Sequence, residues 1–373
     1  MSEAEKVIRV GLLTDGLPQA EACVRNGMSG FMIQNLLIGY GFHWRKTITA
    51  FVPGELELLE SSRPPIQSVM TVPLEAYVLS VISSEMNPSA PLEFLKAHAV
   101  ISRSWAMRKI LGDSHKSESG RVDEAALHIG WEEADSHVGF DVCSDDHCQR
   151  FQGLPEVIPS SALKAVEATR GLVIKDREGQ IADARFSKCC GGRTEIFSSC
   201  WADKDYDYLV SKEDSWCNLS DMTESSRNEF LSAALKNYDA ATQDFYQWSR
   251  RVGRQWLRDR VKSRYGIDVG TVKTLEVSRR GPSGRAVRII ISGADGSVEI
   301  GKELAIRRLL TDDCLYSSRF DIMDEREGFL LEGRGWGHGV GLCQIGAARM
   351  AFEGRQFREI LDFYYPGTNL ELL

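Results

Sequence analysis

The chain has 373 residues, 43% hydrophobic and 26% charged, which is ordinary for a folded globular protein and excludes bulk disorder. Forty-five Lys and Arg against 53 Asp and Glu give a net charge of −8, which excludes a nucleic-acid binder that works through a basic face. No stretch approaches the roughly 18 uncharged apolar residues of a membrane-spanning helix, and nine cysteines are too few, and odd in number, for a disulfide scaffold.

The first residues lack the basic start, apolar stretch and cleavage site of a secretory signal, so a cytoplasmic protein or a mature form is expected. Residues 7–60 alternate short apolar runs with Gly, Asn and Pro, which predicts a β-rich region over 1–70. Residues 72–112 predict two helices broken at Asn87-Pro88-Ser89-Ala90-Pro91. Residues 129–153 are polar and read as a loop carrying Cys and His. A short helix at Leu163–Thr169 and strands at Leu172–Ile174 and Ala182–Phe186 follow. Residues 222–265 read as helical, with Phe245, Trp248, Val252 and Trp256 on one face. Thr274–Arg279 and Ala286–Ser292 form a hairpin, Gly301–Leu310 a helix, and the end holds a Gly-rich strand or loop and a helix near Arg355–Tyr364. Helices mixed with antiparallel hairpins, without βαβ alternation, predict an α+β fold. Its helical segment is expected to pack on antiparallel β-rich elements around a substrate groove, in a domain over 71–373.

Three groups of residues carry chemistry. Along the first helix Leu74, Tyr77, Val78, Val81, Ile82 and Met86 form an apolar stripe, and Glu85 falls on it. A carboxylate on a buried face is costly unless paired, and burial raises its pKa, as a general acid requires. The other reading is a helix-end Glu that turns to solvent before Pro88. On the second helix Lys96 and Arg103 share a face, as an anion-binding pair or as a solvated edge.

The run from Gly333 to Gly341 has glycine at every second position. In an extended strand these five would bare one face for close approach of a ligand or another chain, with Arg334, Trp336, His338 and Val340 on the other. Gln344 follows as an amide for a sugar hydroxyl. His137, Cys143, His147 and Cys148 form the third group, within a loop over 135–150. Two imidazoles and two thiols are a common tetrahedral zinc set, and unligated surface residues are the alternative.

Three blocks resemble the sporulation stage II protein D (SpoIID)/LytB family of peptidoglycan-acting proteins. They are Val72-Pro73-Leu74-Glu75-Ala76-Tyr77-Val78 running to Ser84-Glu85-Met86, Pro91 to Ala99 with Arg103-Ser104-Trp105-Ala106, and Gly335 to Gly341 with Gln344 and Gly346-Ala347. The ending Tyr364-Tyr365-Pro366-Gly367-Thr368 fits too. The resemblance implies a lytic transglycosylase, a glycan-cleaving lyase, acting outside the cytoplasm on strands stripped of stem peptides. It implies Glu85 as catalytic acid and zinc on the His/Cys loop, in a structural role. The family's amidase-enhancer members raise an alternative, a non-catalytic glycan-binding activator with a cell-wall amidase as partner. A glycoside hydrolase of wall fragments is a further alternative.

The chain departs from the pattern where the family carries serine. Cys190-Gly191-Gly192-Arg193-Thr194 stands for Ser-Gly-Gly-x-Thr, and Cys343-Gln344 for Ser-Gln. Substrate contacts are therefore expected from Lys96, Arg103, Cys190, Gly191, Gly192, Thr194, Trp336, His338, Cys343 and Gln344 around one groove.

Overall fold

A computed structural model describes residues 6–41, 45–59, 66–111, 120–124, 126–131, 137–235 and 246–373 of the chain. The first strands are β1 (Val7–Leu13), β2 (Ala20–Arg25), β3 (Met28–Ile38), β4 (Lys46–Pro53), β5 (Glu55–Leu58) and β6 (Ile66–Pro73). Helices α1 (Leu74–Glu85) and α2 (Leu92–Leu111) follow, then β7 (Gly120–Glu124), β8 (Leu127–Trp131) and β9 (Val142–Cys143). Next come α3 (Ser160–Ala168), β10 (Leu172–Lys175), β11 (Phe186–Ser187), α4 (Glu224–Ala234), β12 (Gln247–Gly253) and α5 (Arg254–Tyr265). The last third holds β13 (Val272–Arg280), β14 (Ala286–Gly293), β15 (Ser297–Gly301), α6 (Glu303–Leu310), β16 (Phe320–Glu325) and β17 (Gly328–Arg334). The chain closes with β18 (Leu342–Cys343), α7 (Gln344–Phe352), α8 (Phe357–Tyr364) and β19 (Asn369–Leu372).

The fold is α+β. The strands fall into small sheets, ordered β5-β6-β1-β9, β2-β3-β4, β13-β14-β15-β8-β7 and β12-β17-β16, with two-stranded pairs β10-β19 and β11-β18. Most pairings are antiparallel; β1 with β9, β15 with β8 and β11 with β18 are parallel. The N-terminal strands are not set apart from the helices. β1 pairs along its length with β6, and its Ile8, Val10 and Leu12 join the core that also holds α1.

Helix α1 starts behind Pro73, where a missing backbone N–H costs nothing. It is buried on nearly every side, Ser80, Ser83 and Ser84 included. The apolar stripe therefore understates its burial. This is a central helix, and two of its small hydroxyls meet the loop after β9: Ser80 Oγ donates to the Gly153 carbonyl at 2.8 Å and Ser84 Oγ accepts the Gln152 N–H at 3.2 Å. α2 is likewise enclosed, packed against α1, α3, α7 and α8.

Two expected elements differ. The stretch 222–265 is not one helix: α4 ends at Ala234, and Trp248 and Val252 lie on β12, where both are buried. Residues four apart satisfy a period of two as well as one of 3.6, so the spacing could not separate strand from helix. Trp256 is on α5, and Phe245 lies outside the described residues. The run Ala182–Phe186 forms no ladder before Phe186, because Arg185 N–H turns back onto the Asp183 carbonyl at 2.9 Å.

Candidate active site

Glu85 ends α1 and is 7% exposed. The β/extended Met86 stops the helix at the carboxylate. Its Oε1 accepts the Arg150 backbone N–H at 3.0 Å and its Oε2 accepts Gln344 Nε2 at 3.3 Å. Lys188 Nζ donates to the Glu85 main-chain carbonyl at 2.9 Å, fixing the helix end. Gln344 begins α7, whose first turn is capped by Cys343, and its Nε2 also reaches His98 Nε2 at 3.0 Å. His98 sits on α2 with Nδ1 3.4 Å from Ser102 Oγ and its ring edge-on to Phe186. Burial, with the charge of Lys188, pushes the His98 pKa down to about 3. The neutral ring accepts from Gln344 at Nε2 and donates through Nδ1 to Ser102. Sequence reasoning left out Arg150, Lys188 and His98. Only His98 carried a signal, four residues before Ser102 on a helix already in view.

A cleft of about 430 Å³ opens above Glu85. Trp105, Arg185, Trp201, Trp336, His338 and Gln344 line it, as do Arg150, Lys188 and Arg307. The Arg185 guanidinium lies 4.2 Å from the centre of the Trp201 ring, and Trp201 packs edge-on to His338 at 4.9 Å. Trp201 is half-buried and Trp336 only 7% exposed against Tyr316, so Trp201 is the more accessible of the two side chains. His338 Nδ1 accepts the Val340 N–H at 3.0 Å. Burial, then Arg185, Arg285 and Arg307, push its pKa down to about 3, so it faces the cleft neutral.

The glycine run is not an extended strand. Gly335, Gly337, Gly339 and Gly341 have φ of 83°, 92°, 77° and 71°, and only Gly333 lies on β17. Alternating left-handed residues curl the chain into a loop. At Gly339 a Cβ would stand 2.4 Å from the Arg285 guanidinium carbon, and at Gly341 2.0 Å from the Arg185 carbonyl. Close approach therefore serves the protein's own chain. The loop is tied down by reciprocal backbone bonds between Cys189 and Trp336.

Several expected substrate residues lie elsewhere. Arg103 is fully buried and forms a bidentate pair with Glu75, at 2.8 and 2.6 Å, and also donates to the Leu172 carbonyl. A guanidinium that deep in a helix pair needs a carboxylate of its own, and Glu75 in the first turn of α1 supplies it. Lys96 pairs with Glu93 at 2.6 Å, over the Phe357 ring. Thr194 Oγ1 donates to the Val210 carbonyl, and the Gly191 carbonyl accepts Arg319 Nη1. Cys190 and Cys343 do meet: the Cys190 N–H donates to Cys343 Sγ at 3.2 Å. Both are buried with Gly192 N–H and Cys217 behind the cleft wall, not on it.

His137, Cys143, His147 and Cys148 converge on the cleft, with one donor atom from each within 4.8 Å of all the others. His137 Nε2 is 3.2 Å from Cys148 Sγ, and His147 Nδ1 is 3.8 and 3.7 Å from the Cys143 and Cys148 sulfurs. Tetrahedral bonds of about 2.0–2.3 Å to N and S imply donor separations of roughly 3.3–3.8 Å. The cluster therefore has the donors and size for a metal ion. The hydrogen bond with Cys148, and then those with both imidazoles, pull the Cys143 thiol below its usual range.

The model of the family described as Stage II sporulation protein matches residues 62–175, which span α1, α2 and the His/Cys loop. Over these residues the chain resembles the SpoIID family. Residues 195–341 match a domain of unknown function (DUF8618). An uncharacterized protein of Brachyspira hyodysenteriae is 27% identical over 80% of this chain and 66% of its own length. The amidase enhancer of Bacillus subtilis is 25% identical over 78% of this chain, which spans 39% of that protein. Stage II sporulation protein D of the same organism is 25% identical over 82% of this chain and 76% of its own. No helix among the described residues is long and apolar enough to cross a membrane.

Proposed function

We propose that this chain is a peptidoglycan lytic transglycosylase, with Glu85 as acid and then base. The observation that carries the reading is a solitary carboxylate. Among the described residues, the other acids lining the cleft are engaged elsewhere. Asp146 pairs with Arg150, Glu303 with Arg307, and Asp145 accepts the Gly39 and Tyr40 N–H groups. Hydrolysis ordinarily uses two carboxyl groups across the scissile bond.

One is enough when the nucleophile belongs to the substrate. Glu85 gives its proton to the glycosidic oxygen between MurNAc and GlcNAc, and the C1–O bond breaks. The muramic 6-hydroxyl oxygen bonds to C1, and its proton returns to Glu85, leaving a 1,6-anhydro-MurNAc end. The Gln344 amide and Arg150 N–H hold the carboxylate through both transfers. Trp201 supplies aromatic surface for a sugar, and Lys188 puts a positive charge on the cleft wall for muramic carboxylates on strands free of stem peptides.

His137, Cys143, His147 and Cys148 would hold zinc. Four protein donors leave no position for water, so the ion's part is to fix the loop that presents Arg150. In this reading the substrate is cell wall, so the work is done in the cell envelope, outside the cytoplasm.

A second reading, a non-catalytic glycan-binding activator of a cell-wall amidase, is favoured by the similarity to the amidase enhancer. Purified protein incubated with peptide-free glycan strands, followed by mass spectrometry, separates them. Anhydro ends support the lytic reaction, reducing ends mean hydrolysis, and intact strands mean an activator.

A further inference from the structure

Behind the cleft wall lies a second cluster of soft donors. The Sγ atoms of Cys190, Cys217 and Cys343 and a carboxylate oxygen of Asp214 all lie within 4.8 Å of one another. Cys190 Sγ is 3.4 Å from Cys217 Sγ and 3.2 Å from Asp214 Oδ2. All four residues are at most 1% exposed. They come from three separate segments: the turn after β11, the short helical turn Ser215–Cys217, and the residue before α7.

We propose that Cys190, Asp214, Cys217 and Cys343 form a second, structural site for a divalent zinc-type ion, independent of the His/Cys loop and of the glycan-cleaving reading. The size fits, since tetrahedral bonds of about 2.0–2.3 Å to O and S put donors roughly 3.5–3.8 Å apart. A span of 4.8 Å holds one ion and leaves no room for a multi-iron cluster. The donor type fits, since three sulfurs and one carboxylate favour zinc over magnesium or calcium.

The surroundings are those of bound thiolates. The N–H groups of Cys190 and Gly346 both point at Cys343 Sγ, at 3.2 and 3.4 Å, and the Gly192 N–H points at Cys217 Sγ at 3.2 Å. Such donors orient and stabilise ligating sulfur. They are delivered by a turn that needs left-handed Gly191 and Gly192, at φ 73° and 100°. Asp214 is oriented in the same manner, accepting Tyr364 Oη on Oδ2 at 2.9 Å and the Trp216 N–H on Oδ1 at 3.0 Å. A Cβ at position 346 would stand 2.9 Å from that carboxylate, so glycine there leaves it space. A Cys190–Cys217 disulfide is the competing use of these sulfurs. It would leave Cys343 and Asp214 without a shared partner. Ion binding would release the thiol protons and tie the three segments together.

The test is metal content of the full chain, expressed with zinc in the medium and purified with reductant and without chelator. The expected result is two zinc per wild-type chain and one in His137→Ala/Cys148→Ser. The zinc X-ray absorption of that loop variant should show three sulfur neighbours and one oxygen. Cys190→Ser/Cys217→Ser should also fall to one. If it does not fold, the loop variant's stoichiometry and sulfur count decide alone. One zinc in the wild type that the loop variant loses entirely would overturn the proposal. So would peptide mapping that finds Cys190 joined to Cys217 in wild-type protein.

Discussion

Glu85→Gln tests the catalytic assignment without disturbing the fold, and the hydrogen bonds around the carboxylate show why. Glu85 Oε1 takes the Arg150 N–H and Oε2 takes Gln344, whose amide also meets His98. In the variant the side-chain carbonyl can keep Arg150. The new amide then faces position 344, and a flip of Gln344 presents its oxygen to both neighbours. His98 answers by moving its proton from Nδ1 to Nε2, and Ser102 reverses to donate to Nδ1. Every group stays satisfied, so the loss is two hydrogen bonds to a carboxyl group exchanged for two to neutral amides, about 1–2 kcal/mol in all. Turnover loses its only proton donor and acceptor, which general acid–base catalysis values at about 10²–10⁴-fold. Wild type and variant are compared on peptide-free glycan strands by the yield of 1,6-anhydro ends, with denaturant melts alongside. Anhydro ends from Glu85→Gln within a factor of three of wild type would refute the assignment.

Other substitutions address the parts around it. His137→Ala/Cys148→Ser should lose one zinc per chain and about 10–100-fold in cleavage rate, since a freed loop no longer holds the Arg150 N–H on the carboxylate. Zinc analysis and rates on the same preparation check this, and full rates without the ion would break the link. Arg103→Met should lower stability by about 3 kcal/mol by leaving half-buried Glu75 without its cation, while KM for glycan stays at the wild-type value. A raised KM with unchanged stability would return Arg103 to the substrate. His98 is neutral when folded down to pH about 3 and takes a proton when unfolded below about 6.5, so its burial makes stability fall as pH drops through that window. His98→Asn should flatten the stability–pH curve there by about 1.4 kcal/mol per pH unit, and parallel curves for variant and wild type would count against it.

What the sequence shows of this site depends on whether the signal lies in a side chain. Glu85 stands out because a carboxylate interrupts an apolar stripe, and the four His/Cys donors because their residue types are uncommon together. Arg150 was out of reach: its contact is a backbone N–H, which every residue but proline carries. Arg103 misled because a cation at helical spacing looks the same whether it faces substrate or a half-buried Glu75. The glycine run was legible as an anomaly but not as a shape, since period two serves an extended strand and an alternating left-handed loop alike. Trp248 and Val252 failed for a related reason, as a four-residue spacing fits either periodicity. Cys190 and Cys343 were marked as a linked pair, yet nothing in the order of residues tied them to Asp214 and Cys217.

The two donor clusters also explain how loops can serve a site that needs fixed geometry. The Glu85 carboxylate sits at the end of α1, a helix enclosed on nearly every side. Of its two hydrogen-bond donors, Arg150 arrives on irregular chain, the part of a protein that ordinarily opens first, and Gln344 on the first residue of α7. Arg150 lies two residues after Cys148, and Gln344 directly follows Cys343. Each donor thus lies beside a cluster of sulfur donors, one open to the cleft and one sealed behind it. A site held within about half an ångström needs support of this kind when a partner comes from a loop. Cysteine where the family carries serine is then a change in how Gln344 is held. It leaves the substrate's own contacts untouched, because neither Cys190 nor Cys343 lines the cleft.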